Sequence, residues 1–317
     1  MRRALVPDIS ELPGRAVAFE IPAGWAAAVQ RRPDSSATAS WSWFMPPDRT
    51  ELNPAESFAA VPRRPVSCVV LHGLGGGPYE LKPLIEALEN EGLRTTTPVL
   101  PGHEGPRPRM PVSTWKDWTA AAENAFHELA ALGHPVAVIG FSTGATIGLN
   151  MAARLPVARL VLLAPFLAIR YTALVPFRPA MLLRPLARIV PDLPRRPPAV
   201  RDSEMRRRAA EAERFRTFNL HAAISALELI EQVKSLVPSI TTPTLILQGQ
   251  LDTVVEPASA KWLYQNLGST EKELVSLPNS DHLLALDRER DQVVSATLEF
   301  LLRRGPTATS SLPPRPA

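Results

Sequence analysis

The stretch that most constrains this chain runs from residue 135 to residue 149. Its first part, 135–139, is short, apolar and rich in β-branched residues, which is typical of a buried central strand. The run Gly-Phe-Ser-Thr-Gly follows at 140–144, and small apolar residues at helical spacing come next. A chance Gly-x-Ser-x-Gly on an ordinary connection is the alternative, but the flanking pattern favours a nucleophile elbow, a sharp strand-to-helix turn with serine at its apex.

The residue types around Ser142 fit such an elbow. The turn forces the apical serine into a strained backbone conformation. Gly140 and Gly144 leave room for the strand and the helix to approach each other closely. The helix presents its positive N-terminal end and its free N–H groups next to the hydroxyl. Ser142 is therefore the candidate nucleophile.

Length and composition predict an enzyme-sized α/β protein. The 317 residues, 45% of them hydrophobic, are enough for one large domain with an insertion. The net charge of +4 is a mild excess of 35 Lys and Arg over 31 Asp and Glu, without the aromatic-interleaved basic stripe of nucleic-acid binders. No apolar run is long enough to span a bilayer, and no secretory signal is recognisable. We expect a cytoplasmic protein with no nucleic-acid partner and no stable membrane insertion; its oligomeric state stays open.

Strand and helix patterns alternate along most of the chain. Strands are predicted at 67–71, 94–100, 135–139, 160–163, 243–249 and 273–277. Helices are predicted at 80–91, 115–132, 202–216, 222–236, 257–267 and 287–303, most of them amphipathic and that at 202–216 highly charged. This alternation predicts an α/β fold with a mostly parallel central sheet, flanked by helices and built with right-handed crossovers. The chain has a single cysteine, Cys68 in the first strand, and because it has no second cysteine no intramolecular disulfide can form.

The pattern also predicts a domain organisation. From 165 to 240 no strand signal is present, and this arginine- and proline-rich segment is predicted to be an inserted helical cap. Residues 66–164 and 241–304 form the α/β core. Residues 1–65 are an N-terminal extension that is either a partly ordered arm or a set of edge strands, and 305–317 form a disordered tail. Apolar residues of the cap either line a pocket for an acyl chain or only pack the cap onto the sheet.

Two more polar residues follow predicted strands. Asp252 comes after the strand at 243–249, and His282 comes after the strand at 273–277. Ser142, Asp252 and His282 thus occur in the order Ser…Asp…His, each near the carboxyl end of a strand, where α/β sheets bind ligands. Rival acids are Glu256, Asp281 and Asp287. Asp252 is favoured because Asp281 adjoins the histidine and should point elsewhere, while Glu256 lies beyond the strand end.

The first strand leads into a glycine-rich turn, His-Gly-Leu-Gly-Gly-Gly at 72–77. Neither phosphate-binding pattern, G-x-G-x-x-G nor G-x-x-x-x-G-K-[ST], is present. We therefore interpret the turn as an oxyanion loop, in which the N–H of Leu74, together with that of Thr143, points at a developing negative charge. His72 is expected to be structural. His103 and Glu104 lack a third partner at metal-ligand spacing, so no metal site is predicted.

These motifs resemble those of the α/β-hydrolase superfamily, and within it the compact bacterial carboxylesterases and monoacylglycerol lipases. The likeness covers about 66–303 and is carried by His72-Gly73-Leu74, Gly102-His103, the elbow, Leu251-Asp252, Ser280-Asp281-His282 and the closing run at 281–291. Thr143 departs from the Leu, Met or Gln that is usual in the elbow. The N-terminal extension and the arginine-rich cap are also unlike that branch.

The triad and this resemblance together predict a serine hydrolase that cleaves short- or medium-chain esters or monoacylglycerols through an acyl-enzyme on Ser142. No metal or organic cofactor is required for such a reaction. Thioesterase, lactonase, peptidase and C–C hydrolase activities on the same machinery are alternatives. A non-enzymatic hydrolase-fold binding protein is another, although a complete triad argues against it. The physiological substrate, the acyl chain length and the regiochemistry are not encoded in any motif.

Overall fold

A parallel sheet lies at the centre of the part of the chain that the computed structural model describes, residues 66–303 without 106, 108, 111, 171–178 and 213–214. In chain order the strands are β1 (Ser67–Leu71), β2 (Thr95–Thr96), β3 (Val136–Phe141), β4 (Leu160–Leu163), β5 (Asp192–Pro194), β6 (Thr217–Asn219), β7 (Thr244–Gly249) and β8 (Lys272–Leu277). The central sheet has six strands in the order β2-β1-β3-β4-β7-β8, and all its neighbouring pairs are parallel. The predicted parallel α/β sheet is thus confirmed. The predicted extension at 1–65 and tail at 305–317 lie outside the described residues.

Helices cover both faces of this sheet. They are α1 (Lys82–Asn90), α2 (Trp115–Ala130), α3 (Thr143–Ala152), α4 (Pro179–Ile189), α5 (Ser203–Ala212), α6 (Leu220–Leu236), α7 (Ala258–Asn266) and α8 (Arg290–Leu302). Successive residues of a strand point to opposite faces. In β1, Val69 and Leu71 therefore pack in one apolar cluster with α2, α3 and α6, whereas Cys68 and Val70 pack in a second with α1 and α8. This double cover explains why the central strands β1, β3 and β4 are buried and largely apolar rather than alternating.

Some elements begin or end away from their predicted bounds. β2 spans two residues instead of 94–100, because Pro98 has no N–H to donate to a ladder. The helix predicted from Glu80 starts as a 3-10 turn, Pro78–Leu81, and α1 begins only at Lys82. The helix predicted from Asp287 begins at Arg290, after a 3-10 turn at Leu284–Leu286. In both places a 3-10 turn precedes the α-helix.

The segment from 165 to 240 contains two strands that the sequence did not predict. β5 and β6 form an antiparallel pair with Leu193 opposite Phe218. Each is three residues long, too short for a period-2 pattern to be recognised, so the expectation of a strand-free segment is wrong. α6 packs against α2 and α3 in the helical layer on the sheet. The cap and core boundaries stay a prediction. Among the described helices, none is both long and apolar enough to cross a membrane.

Candidate active site

Ser142 lies at the apex of the turn between β3 and α3. Its backbone has φ 54° and ψ −117°, in the left-handed half of the map that non-glycine residues avoid. A Cβ on Gly140 would overlap the carbonyl oxygen of Gly144, and a Cβ on Gly144 would overlap that of Leu71. The two glycines therefore allow the helix to start directly against the strands, as the elbow motif requires.

Three side chains from separate parts of the chain meet at this turn. His282 Nε2 lies 3.0 Å from Ser142 Oγ, and His282 Nδ1 lies 2.9 Å from Asp252 Oδ2. All three residues are buried. Nδ1–H donates to the carboxylate, which leaves the Nε2 lone pair facing the serine hydroxyl. The structure thus brings together the three residues that chain order and strand position predicted, in an arrangement suited to proton removal from a nucleophile.

The carboxylate of Asp252 is fixed on both oxygens. Oδ1 accepts the backbone N–H groups of Val254 and Val255 at 2.8 and 2.7 Å, and Oδ2 accepts Gln248 Nε2 at 3.1 Å besides the histidine. Burial alone raises the pKa of Asp252, but the charge and hydrogen bond of His282 and the two N–H groups bring that pKa below its ordinary value. Asp252 therefore stays ionised and oriented.

The pairing with Asp252 shifts the pKa of His282 in the opposite direction. Burial lowers the pKa of its imidazole, but the charge and hydrogen bond of Asp252 outweigh burial and raise that pKa above its ordinary value. The charges of Glu80 and Asp281 act in the same direction. The imidazolium that forms on proton transfer is thus stabilised by carboxylates around it.

The rival acids are engaged elsewhere. Asp281 Oδ1 accepts the backbone N–H and the hydroxyl of Thr253, each at 2.9 Å, and Oδ2 pairs with Arg201 Nε at 3.2 Å. Glu256 pairs with Arg170 at 3.1 Å. The fully buried Asp287 accepts backbone N–H groups of Arg201, Asp202, Asp281 and Arg288. The bonds of Asp281 and Asp287 hold the histidine loop, residues 278–289, while Asp252 alone among the four acids reaches the imidazole.

The glycine-rich turn after β1, residues 73–77, is called the oxyanion loop here. The N–H of Gly73 donates to Glu80 Oε2 at 3.1 Å, and that of Gly75 donates to His103 Nε2 at 2.9 Å. The N–H of Leu74 lies between these two anchored groups. Thr143 is the first residue of α3, where an N–H has no partner within the helix. That Leu74 and Thr143 bind an oxyanion stays a prediction.

Two buried histidines brace the oxyanion loop. His72 Nε2 accepts the N–H of Leu100 at 3.1 Å, and its Nδ1 lies 2.9 Å from the carbonyl oxygen of Gly73. The rings of His72 and His103 meet edge to face, with centroids 5.0 Å apart. Burial lowers the pKa of His103. The hydrogen bonds of His72 and His103 hold the backbone of this region in place. Within the described ranges, no group of three or more His, Cys, Asp or Glu is arranged to hold a metal ion.

Two polar residues near the site were not predicted from the sequence. Gln248, at the end of β7, donates to Asp252, and its signal was one amide inside an otherwise apolar strand, Thr-Leu-Ile-Leu-Gln-Gly. Glu80 is buried behind the oxyanion loop, where burial raises the pKa of its carboxyl to about 7 despite the opposing charge of Arg195. Nothing in the sequence marks Glu80, because a glutamate near a helix start is ordinary.

Comparison with known proteins places this geometry among hydrolases. Residues 63–289 match the family described as serine aminopeptidase, S33. The chain is 28% identical over 255 residues to a thermostable monoacylglycerol lipase of Bacillus sp. (strain H-257), covering 80% of this chain and 96% of the relative. It is 24% identical over 239 residues to a carboxylesterase of Bacillus subtilis (strain 168), covering 74% and 91%.

Solved structures share the fold. A soluble variant of the monoglyceride lipase of Saccharomyces cerevisiae, in complex with a substrate analogue, has a TM-score of 0.64 at 18% identity and covers 75% of this chain and 87% of its own. The monoacylglycerol lipase of Paleococcus ferrophilus has a TM-score of 0.62 at 21% identity, covering 75% and 95%. These likenesses bear on the architecture, which is that of an α/β-hydrolase.

Proposed function

We propose, from the premise that this chain belongs to the serine aminopeptidase S33 family of α/β-hydrolases, that it cleaves carboxylic esters through an acyl-enzyme on Ser142. The observation that carries the proposal is the unbroken hydrogen-bonded series from Ser142 Oγ through the His282 ring to the Asp252 carboxylate. The lipase and esterase names of the relatives support the choice of an ester bond.

In the first half of the reaction, His282 Nε2 takes the hydroxyl proton as Ser142 Oγ attacks the ester carbonyl. The negative charge that develops on the carbonyl oxygen is bound by the N–H groups of Leu74 and Thr143, each worth about 3 kcal/mol in related sites. The imidazolium then gives its proton to the departing alcohol. Asp252 holds the imidazole in the required tautomer and stabilises its charged form.

In the second half, water replaces the alcohol. His282 removes a proton from the water, which attacks the acyl carbonyl on Ser142, and the same two N–H groups bind the oxyanion again. Collapse releases the carboxylic acid and returns the proton to Ser142. All proton transfers pass through one nitrogen of His282, so no metal ion or organic cofactor is needed.

The acyl group of the substrate is proposed to lie under the predicted cap. Arg195 and Phe218, from the β5 and β6 region, lie next to Gly75 of the oxyanion loop, which supports a roof over the site. By analogy with the relatives' names, a neutral monoacylglycerol or a short- to medium-chain ester is the proposed substrate class.

A thioester substrate is the second candidate, and a specific observation favours it. A cavity of about 260 Å³ beside the histidine loop is lined by Arg196, Arg201 and Arg206 together with Asp281. Guanidinium groups suit the phosphates of a coenzyme A thioester. Asp281 already pairs with Arg201, however, and exposed arginines are usually solvated, so the neutral ester is the main proposal.

Substrate profiles separate these candidates. We expect kcat/KM for p-nitrophenyl esters and monoacylglycerols to rise about threefold to fourfold per added methylene until the pocket is full, because each buried methylene contributes roughly 0.8 kcal/mol. Rates for acyl-CoA should be lower at all salt concentrations. The measurement is steady-state kinetics over chain lengths from about C2 to C16 and over a range of ionic strength.

Neutral esters act as the internal control for salt. A preference for acyl-CoA that falls steeply with ionic strength would favour the thioesterase. A flat chain-length profile would contradict the acyl pocket, and no turnover of any ester in the panel would contradict the proposed function itself.

The pH profile tests the role of His282. The imidazole must be neutral to accept the serine proton, and its pKa lies above the ordinary 6.5. Because a raised pKa keeps the ring protonated to higher pH, kcat/KM should fall as pH falls through a midpoint above 6.5. Replacing His127, an exposed histidine on α2, by glutamine should leave the profile unchanged. A midpoint below the ordinary value would contradict the pairing with Asp252.

A further inference from the structure

Glu80 is a buried acid that the proposed reaction does not use. It lies in the 3-10 turn before α1, is 5% exposed, and its Oε2 accepts the N–H of Gly73 at 3.1 Å. The loop closes over this carboxyl group so tightly that a Cβ on Gly76 would overlap it. Burying a carboxyl group costs folding free energy, so the burial of Glu80 calls for an explanation.

The other anchors of the oxyanion loop act on the same short stretch. His103 Nε2 accepts the N–H of Gly75, and the Arg195 guanidinium, from the segment after β5, donates to the carbonyl oxygen of Gly75. Glu80 thus fixes the peptide between His72 and Gly73, and His103 and Arg195 fix Gly75. The Leu74 N–H belongs to the Gly73–Leu74 peptide between them, whose carbonyl oxygen accepts the N–H of Gly76 at 3.2 Å.

We propose that Glu80 is a positioning residue for ester hydrolysis: by accepting the Gly73 N–H it aims the Leu74 N–H at the oxyanion. This inference rests on the proposed function. A hydrogen-bond donor stabilises the transition state most when it already points at the oxyanion. If the donor had to reorient during the reaction, that reorientation would cost part of the stabilisation free energy. Glu80 therefore acts on the transition state more than on the bound substrate.

The charge of Glu80 is moderated by its surroundings. Burial raises the pKa of Glu80, the Arg195 and His282 charges and the N–H groups of Gly73 and Gly77 oppose that rise, and the balance leaves the pKa at about 7. In return, an ionised Glu80 raises the pKa of His282, as Asp252 and Asp281 also do. Removal of the Glu80 charge should consequently move the acid limb of the pH profile to lower pH.

Three variants test the proposal. Glu80→Ala removes the acceptor, and we expect kcat for p-nitrophenyl butyrate to fall about 30-fold or more, with KM changed less than threefold. The affinity for an alkyl boronic acid, whose tetrahedral adduct on serine places an oxygen in the oxyanion hole, should fall in parallel with kcat. Glu80→Gln keeps an acceptor for the Gly73 N–H, so it should restore kcat to within about fivefold of wild type and shift the acid limb to lower pH. Glu86→Ala removes an exposed carboxylate from α1 and is the matched control.

The outcomes separate this inference from the proposed function. If the wild type is active but Glu80→Ala keeps a kcat within threefold of the wild-type value, the role of Glu80 is wrong and the proposed function stands. The same holds if the kcat of Glu80→Gln is no higher than that of Glu80→Ala. A wild type inactive on every ester overturns both. If Glu80→Ala does not fold, Glu80→Asp decides, because it keeps the charge but draws the acceptor away from the Gly73 N–H: we expect parallel losses of about tenfold in kcat and boronate affinity, and wild-type values would overturn the proposal.

Discussion

Ser142→Ala is expected to lower kcat for ester hydrolysis by roughly 10⁴- to 10⁶-fold, because the reaction loses its nucleophile and the remaining groups cannot act as a unit without it. What remains over the uncatalysed rate comes from oxyanion binding and substrate positioning. The protein should stay folded, since alanine keeps the Cβ that the elbow already accommodates at φ 54°. Steady-state kinetics with p-nitrophenyl esters provides the measurement.

Covalent labelling gives a second readout for this variant. A fluorophosphonate probe should label the wild type stoichiometrically and leave Ser142→Ala unlabelled. Ser295→Ala, which changes a serine on α8 whose hydroxyl is in an exposed hydrogen bond, is the matched control and should behave as wild type. A Ser142→Ala protein that keeps more than a few per cent of the activity would refute the choice of nucleophile.

Asp252→Asn should lower kcat roughly 10⁴-fold without moving the backbone. The two valine N–H groups that donate to Oδ1 will retain the amide oxygen of the asparagine. The amide NH₂ must then face His282 Nδ1, at the position of Oδ2. That nitrogen can only accept from an NH₂ group, so the ring proton moves to Nε2 and the lone pair that receives the serine proton is lost.

Two neighbouring acids serve as controls for Asp252→Asn. Asp281→Asn and Glu256→Gln change carboxylates that bind Arg201 and Arg170 rather than the imidazole. Both should retain most of the activity, with circular dichroism and thermal unfolding used to check the fold. If either variant were more damaging to kcat than Asp252→Asn, the assignment of the triad acid would be wrong.

The sequence carried enough information to predict that the side chains of Ser142, Asp252 and His282 meet. Ser142 and Asp252 follow buried strands and His282 follows the partly exposed edge strand β8, and in a parallel sheet all such positions fall at one edge. The central strands were recognisable because helices cover both faces and leave them largely apolar. Once the strands are recognised from their local sequence pattern, the parallel sheet determines where the residues at their carboxyl ends lie.

Other features depended on contacts between distant residues. Glu80 belongs to an amphipathic run, and its burial results from the loop folding back over it, which no period in the sequence reports. The pairing of Leu193 with Phe218 joins two segments that are each too short to show alternation. α6 falls within the predicted cap by its position in the chain, and its packing on α2 and α3 depends on residues far apart in the sequence.

The buried carboxylate of Asp287 has a consequence for movement around the site. It joins the histidine loop, through the N–H groups of Asp281 and Arg288, to the segment at Arg201 and Asp202. Lifting that segment would leave the buried Asp287 carboxylate without two of its donors, at a cost of about 1–3 kcal/mol each. We therefore expect 199–202 to be the stationary hinge of any opening that admits substrate, with displacement concentrated towards Arg195 and the general base held in place throughout the cycle.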